Sequence, residues 1–169
     1  MTETRWLNDD EQDLWRLYLA ATRKLTHAVE ETLTAGGEVT FPEYSVLVSL
    51  SEAHGQQLRL RELCEELEWD RSRTSHQVTR MARRGLVSKT KFENDKRGVV
   101  VGITDMGMQR LKNAVPEHVE SVRRLVFDHM HPEDVPALRR FFTGILNTNN
   151  LPGYPDYIPD SFLNVLPER

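Results

Sequence analysis

Cysteine is nearly absent from this 169-residue chain. Cys64 stands alone, which excludes an intrachain disulfide framework and fits a reducing compartment. Long apolar runs are also missing, and no stretch approaches the roughly 18 unbroken apolar residues of a membrane span. The segment from Met1 to Asp13 is acidic and lacks the basic-then-apolar order of a secretory signal. The expectation is a cytoplasmic chain with no membrane partner. There is no glycine-rich phosphate loop, no Gly-x-Ser-x-Gly elbow, no His-Glu-x-x-His pair and no cysteine–histidine arrangement of known spacing. Nothing therefore argues for an enzyme or a cofactor. His118, His129 and His131 have no acidic or cysteine cluster of ligand spacing beside them, so they read as solvated rather than metal-binding. Trp6, Trp15 and Trp69 read as core or interface residues.

Acidic residues outnumber basic ones, for a net charge of −4, but the distribution is uneven. Between Arg59 and Lys112 there are 13 Lys/Arg against 8 Asp/Glu, whereas the remainder holds 9 against 18. A basic middle between acidic ends suits a segment that meets a polyanion. A solvated charged surface would account for part of the same pattern. At 38% hydrophobic and 28% charged, the chain can bury a core, and its length fits one domain or one domain with an appendage.

From Asp10 to Leu33, apolar residues at three- and four-residue steps (Leu14, Leu17, Tyr18, Ala21, Leu25, Ala28, Val29, Leu33) predict a long amphipathic helix ended by Gly36-Gly37. Thr40-Phe41-Pro42-Glu43 has capping-box spacing and opens a second helix to about Ala53. Leu60 to Leu67 is a short helix. After Glu68-Trp69, Asp70 caps another that runs from Arg71 to Arg84 and stops at Gly85. The short connection gives helix-turn-helix proportions. Leu86–Phe92 and Val99–Ile103 read as strands joined by a turn over residues 93–98, a basic hairpin in the position of a wing. Thr104 caps a long helix to about Met130 with a kink near Ala114-Val115, ahead of Pro116. A last helix spans about Pro132 to Asn147. The tail from Asn149 is proline-rich yet carries Tyr154, Tyr157, Ile158, Phe162 and Leu166, an extended arm expected to pack across a dimer axis. A solvated tail is the alternative. No internal repeat is present.

On a helical wheel, Thr74, Val78, Met81 and Ala82 fall to one side of the segment after Asp70. Ser72, Arg73, His76, Arg80 and Arg83 fall to the other, flanked by Gln77, Thr79 and Arg84. That face has donors and acceptors but no acid. A solvated helix face normally mixes signs to gain i,i+4 pairs, whereas an acid-free face suits base edges and phosphates. In the hairpin, Asp95 and Arg97 lie two apart, so the carboxylate could aim the guanidinium at a narrow minor groove. Asn94-Asp95 and Gly98 could equally be simple turn formers.

The runs Leu60-Arg61-Glu62-Leu63-Cys64, Asp70 to Val87 and Asp95-Lys96-Arg97-Gly98 through Gly107 resemble the MarR (multiple antibiotic resistance regulator) family. In that family a Gly-Leu-Val step leads into an Asp-x-Arg wing, an apolar strand and a Thr-x-x-Gly helix start. The resemblance covers Leu58 to Leu111. It implies a mainly α fold with a small β-wing, built as a winged helix-turn-helix lobe (40–104) between an N-terminal dimerisation helix (1–39) and C-terminal dimerisation helices (105–147). Residues 148–169 form the proline-rich tail, which departs from the family pattern. It further implies a homodimer on a pseudo-palindromic operator in double-stranded DNA. The recognition helix lies in the major groove and the wing in the minor groove. A small aromatic or phenolic effector is expected to release a repressor. The DNA-contacting candidates are Arg71, Ser72, Arg73, Thr74, Ser75, His76, Gln77, Thr79, Arg80, Arg83 and Lys89, with Asp95, Lys96 and Arg97 on the wing.

Two alternatives stand beside this reading. One is a winged-helix module for protein contacts, which would show apolar anchors rather than arginines on the helix face. The other is redox sensing through Cys64. Sensing cysteines of relatives lie on the first helix, while Cys64 occupies a position where a small apolar residue is ordinary.

Overall fold

The computed structural model describes residues 5–92 and 95–148. The tail beyond Asn149, with the arm expected there, lies outside the described residues. Helix α1 spans Asp9–Gly37. It begins in a capping box in which Asn8 Oδ1 accepts from the Glu11 amide (2.9 Å) and the Glu11 carboxylate accepts from the Asn8 amide (2.9 Å). Its acidic first turn complements the helix dipole. α1 runs on through Gly37 and ends on Glu38, which takes a left-handed conformation (φ 53°, ψ 30°). Helix α2 (Phe41–Glu52) carries the expected Thr40/Glu43 capping box with proline in its first turn.

A three-residue strand, β1 (Gln57–Arg59), was not legible in the sequence. It is too short to show alternation and exists because it pairs antiparallel with β3. Helix α3 (Leu60–Glu66) follows directly. The connection to α4 (Arg71–Arg83) is tightened by a left-handed Glu68 (φ 51°) and by the Trp69 amide donating to the Cys64 carbonyl (3.0 Å). Asp70 caps α4, accepting from the Arg73 amide at 2.9 Å. Strands β2 (Val87–Phe92) and β3 (Asp95–Ile103) form the hairpin, and the sheet order is β1-β3-β2. β3 starts four residues before the expected Val99, so much of the expected turn is strand.

Helix α5 (Asp105–Leu125) continues through Pro116 without interruption and stops short of Met130, before a single 3-10 turn at Phe127–His129. Its start explains the Thr-x-x-Gly pattern. Thr104 Oγ1 donates to the Gly85 carbonyl (2.6 Å) and accepts from the Gly107 amide (3.0 Å). A β-carbon on Gly107 would collide with the Leu86 carbonyl oxygen. Helix α6 spans Asp134–Leu146.

The core runs from the C-terminal end of α1 (Val29, Leu33) through α2 (Val46, Leu47, Leu50), α3 (Leu63) and α4 (Val78, Met81) to β3 (Val101) and α5 (Leu111, Ala114). The expected α1 stripe is thus buried only at its end. Leu14, Trp15 and Leu17 are exposed, as are Val119, Phe141, Phe142 and Ile145 on α5 and α6. No residue of α6 is buried. Among the described residues no helix is long and apolar enough to cross a membrane.

Candidate nucleic-acid interface

Helix α4 is held by its inner face. Thr74, Gln77, Val78 and Met81 are buried, which leaves Arg71, Ser72, Arg73, His76, Arg80 and Arg83 exposed on the outer face. Ser75 and Thr79 are half-buried between the two. No carboxylate interrupts the outer face, so it is a surface of guanidinium, imidazole and hydroxyl donors.

Two of the candidate contact residues need correction. Thr74 is fully buried, and its hydroxyl donates back to the Asp70 carbonyl at 3.0 Å. It packs the helix and cannot reach a ligand. Gln77 is only 3% exposed, and its amide oxygen accepts from the Arg80 guanidinium. Gln77 therefore orients Arg80 rather than presenting its own amide. The wheel assigned Gln77 to a flank, but packing in the fold leaves almost none of it exposed.

The structure also brings to this face a residue that the sequence left as core or interface, Trp69. Trp69 lies at the turn before α4, partly buried, and the Arg73 guanidinium sits 4.3 Å from its ring centroid. Pro42, Trp69, Arg73, His76, Gln77 and Arg80 together line a cleft of ≈ 310 Å³. The four-residue step from Trp69 to Arg73 was the available signal, because residues four apart near a helix start face each other.

Lys89 on β2 is exposed, and its ammonium donates to Thr79 Oγ1 (3.0 Å), which in turn donates to the Ser75 carbonyl (2.7 Å). The hairpin is thereby tied to the flank of α4. The side chains of Asp95, Lys96 and Arg97 lie outside the described residues, so the wing-tip pairing remains an expectation.

Cys64 is half-buried in α3 and lines a cavity of ≈ 460 Å³ with Arg59, Arg61, Arg71 and Val99. Where α2 meets α5, the rings of Tyr44 and His118 approach to 4.8 Å. Burial lowers the His118 pKa from its ordinary value, and His118 Nδ1 is buried with no hydrogen-bond partner among the described residues. Burial, and then the nearby Glu52 carboxylate, raises that of Tyr44. Among the described residues no group of three or more His, Cys, Asp or Glu side chains is gathered as a metal ion would require.

A profile described as the MarR family matches residues 38–98, which span α2 to the hairpin. AbsC, a MarR family transcriptional regulator from Streptomyces coelicolor, is 39% identical. The match covers 84% of this chain and 95% of AbsC, with a TM-score of 0.79. A second MarR family transcriptional regulator from that organism, solved in complex with DNA, is 32% identical over 90% of this chain and 95% of its own, with a TM-score of 0.83. The organic hydroperoxide resistance transcriptional regulator of Bacillus subtilis is 28% identical over 105 residues, 62% of this chain and 69% of that protein.

Proposed function

Because the chain belongs to the MarR family of transcriptional regulators, we propose that it binds a pseudo-palindromic operator in duplex DNA as a homodimer and acts as a repressor released by a small molecule. The observation that carries the DNA reading is the acid-free outer face of α4, where Arg73, His76, Arg80 and Arg83 stand exposed on a net acidic protein. Such a helix enters the major groove, and the β2–β3 hairpin beside it reaches the flanking minor groove with Arg97. That a relative 32% identical to this chain was solved in complex with DNA supports the DNA-binding reading. A protein-contact module would need apolar anchors on that face, and the outer face of α4 offers arginines and a histidine instead.

The homodimer reading rests on Leu14, Trp15 and Leu17 of α1 and Phe141, Phe142 and Ile145 of α6. These six large apolar side chains, on helices that meet through Tyr18 and Phe141, stay about half exposed or more among the described residues. Two-fold burial of one self-complementary patch is the commonest way such a surface is covered. Residues 40–104 are then the DNA-binding lobe, and residues 1–39 and 105–147 the dimerisation module. An aromatic or phenolic effector would enter where that module meets the lobe. Tyr44 and His118 pack their rings together there, and His118 Nδ1 is buried with no hydrogen-bond partner among the described residues.

The similarity to an organic hydroperoxide resistance regulator favours one second reading of the signal, oxidation of Cys64. A mobility-shift titration of the full chain against the DNA flanking its own gene tests the main proposal. Retardation at nanomolar to micromolar protein, competed by specific but not by random duplex, is the expected result. Loss of retardation on adding organic hydroperoxide, abolished in Cys64→Ser, would establish the redox reading in place of a bound effector.

A further inference from the structure

The recognition helix ends in an ion pair that none of its DNA-facing residues explains. Arg84, immediately after α4, directs its guanidinium away from the outer face and back into the protein. Its Nη1 donates to both carboxylate oxygens of Glu43 (2.6 and 2.7 Å), and its Nη2 donates to the main-chain carbonyl of Glu38 (3.0 Å). Glu43 is only 5% exposed, and its Oε2 also closes the α2 capping box by accepting from the Thr40 amide at 3.0 Å. Glu38 is the residue on which α1 ends, held in a left-handed conformation that side-chain-bearing residues avoid. The Glu38 carboxylate pairs with Arg110 on α5.

One guanidinium thus joins the end of α4 to the junction of α1 and α2, and through Glu38 to α5. These are the places where the DNA-binding lobe meets the long helices. A planar guanidinium that meets a carboxylate and a carbonyl together fixes direction as well as distance, which a point charge does not. Glu43 could not be left alone either, because a buried carboxylate without its partner is costly and would force local rearrangement.

We infer that Arg84 is a positioning residue: by clamping α4 to Glu43 and Glu38 it sets the angle and separation of the two recognition helices in the dimer, and so the half-site spacing the protein accepts. This rests on the operator-binding reading above. In a dimeric helix-turn-helix protein, spacing between half-sites is a geometric consequence of how the helices are mounted. The residues that touch DNA set which bases are read within a half-site, and Arg84 sets how far apart two half-sites stand.

The test uses the full chain and three kinds of duplex: the two-half-site operator recovered by selection with the wild-type chain, the same operator with one base pair inserted at its centre, and a single half-site. Wild type should lose at least tenfold on the insertion. Arg84→Ala should lose roughly tenfold on the original operator, stay within about twofold on the single half-site, and lose at most threefold more on the insertion. Glu43→Gln should behave alike, with the double variant no worse than either, and Arg84→Lys should recover part of the loss. If Arg84→Ala weakened the single half-site as much as the operator, Arg84 would be a phosphate contact or a prop of the lobe itself, and the inference would fail. It would fail equally if the variant kept the full insertion penalty.

Failure of the DNA reading is distinguishable, since wild type would then bind none of the duplexes. A DNA-free measurement decides the clamp in that case. Spin labels at Glu30→Cys on α1 and His76→Cys on α4, in a Cys64→Ser background diluted with unlabelled chain, report the lobe's orientation. The distance distribution should broaden on Arg84→Ala, and an unchanged distribution overturns the inference.

Discussion

The guanidinium of Arg73 lies 4.3 Å from the centroid of the Trp69 ring. Stacking on a ring already anchored in the core restricts the arginine before any ligand arrives, so less freedom is lost on contact. Arg73→Ala should cost on the order of 1–3 kcal/mol per half-site and relax base preference there. Trp69→Leu should weaken binding by about 0.5–1 kcal/mol, the range of an exposed cation–π contact. Equilibrium binding to wild-type and base-substituted operators checks both. Unchanged binding by Arg73→Ala would remove this helix face from the interface.

Salt should act strongly on the complex. Each phosphate neutralised by an Arg or Lys contributes about −0.9 to the log–log slope of affinity against salt. Two copies of the α4 face and wing should give a slope of several units. Arg97→Ala should reduce its steepness while leaving most base preference intact, because a wing arginine reads groove width. A fluorescence-anisotropy titration across salt concentration measures this, and a slope near zero would contradict the DNA reading.

Self-association should depend on the uncovered apolar face. Leu17 is 66% exposed and Phe141 48% exposed in the single chain. Introducing charge into both, as Leu17→Glu with Phe141→Asp, would place four carboxylates in a closed two-fold interface. Sedimentation should then shift from dimer toward the 19.6 kDa monomer at micromolar concentration. Circular dichroism should show the helices retained, since neither residue belongs to the core of its own chain.

His118 should make stability fall as the solution is acidified. Burial lowers its pKa below the ordinary 6.5, so between the two values the unfolded chain binds a proton that the folded chain does not. The unfolded state is then favoured as pH drops through 6.5, and the loss levels off once pH passes below the folded-state pKa. Tm measured from pH 7.5 to pH 5 should decline less in His118→Phe than in wild type. Parallel curves would show that the imidazole is not desolvated.

Gly107→Ala should destabilise the lobe by about 1–3 kcal/mol, as overpacking does. The added methyl meets a backbone carbonyl, which cannot swing aside as a side chain would. A lowered Tm with loss of the Thr104 contacts is the expected result, whereas Gly144→Ala, with nothing within 4 Å of its β-carbon, should be tolerated.

What the sequence by itself determined is whatever is settled within a few residues. Thr40 with Glu43, Asp70 before Arg71 and Gly85 after Arg84 mark helix ends because a cap needs only a local hydrogen bond or a positive φ. The arginine-bearing face of α4 was legible for the same reason, since helical spacing alone puts those residues together. Tertiary structure decided the rest. β1 exists only opposite β3, more than forty positions later. The regular apolar stripe of α1 is buried only from Val29 onward, because the chain folds back on that end and leaves Leu14 and Leu17 bare. Gln77, which a wheel puts on the flank of the outer face, is covered by packing, as is Thr74 on the inner side. Glu43 and Arg84 are 41 residues apart, and no local pattern pairs two such common residues. Local hydrogen bonds and periodicity act along the chain, whereas burial and long-range ion pairing depend on which distant segments the fold brings to the same place.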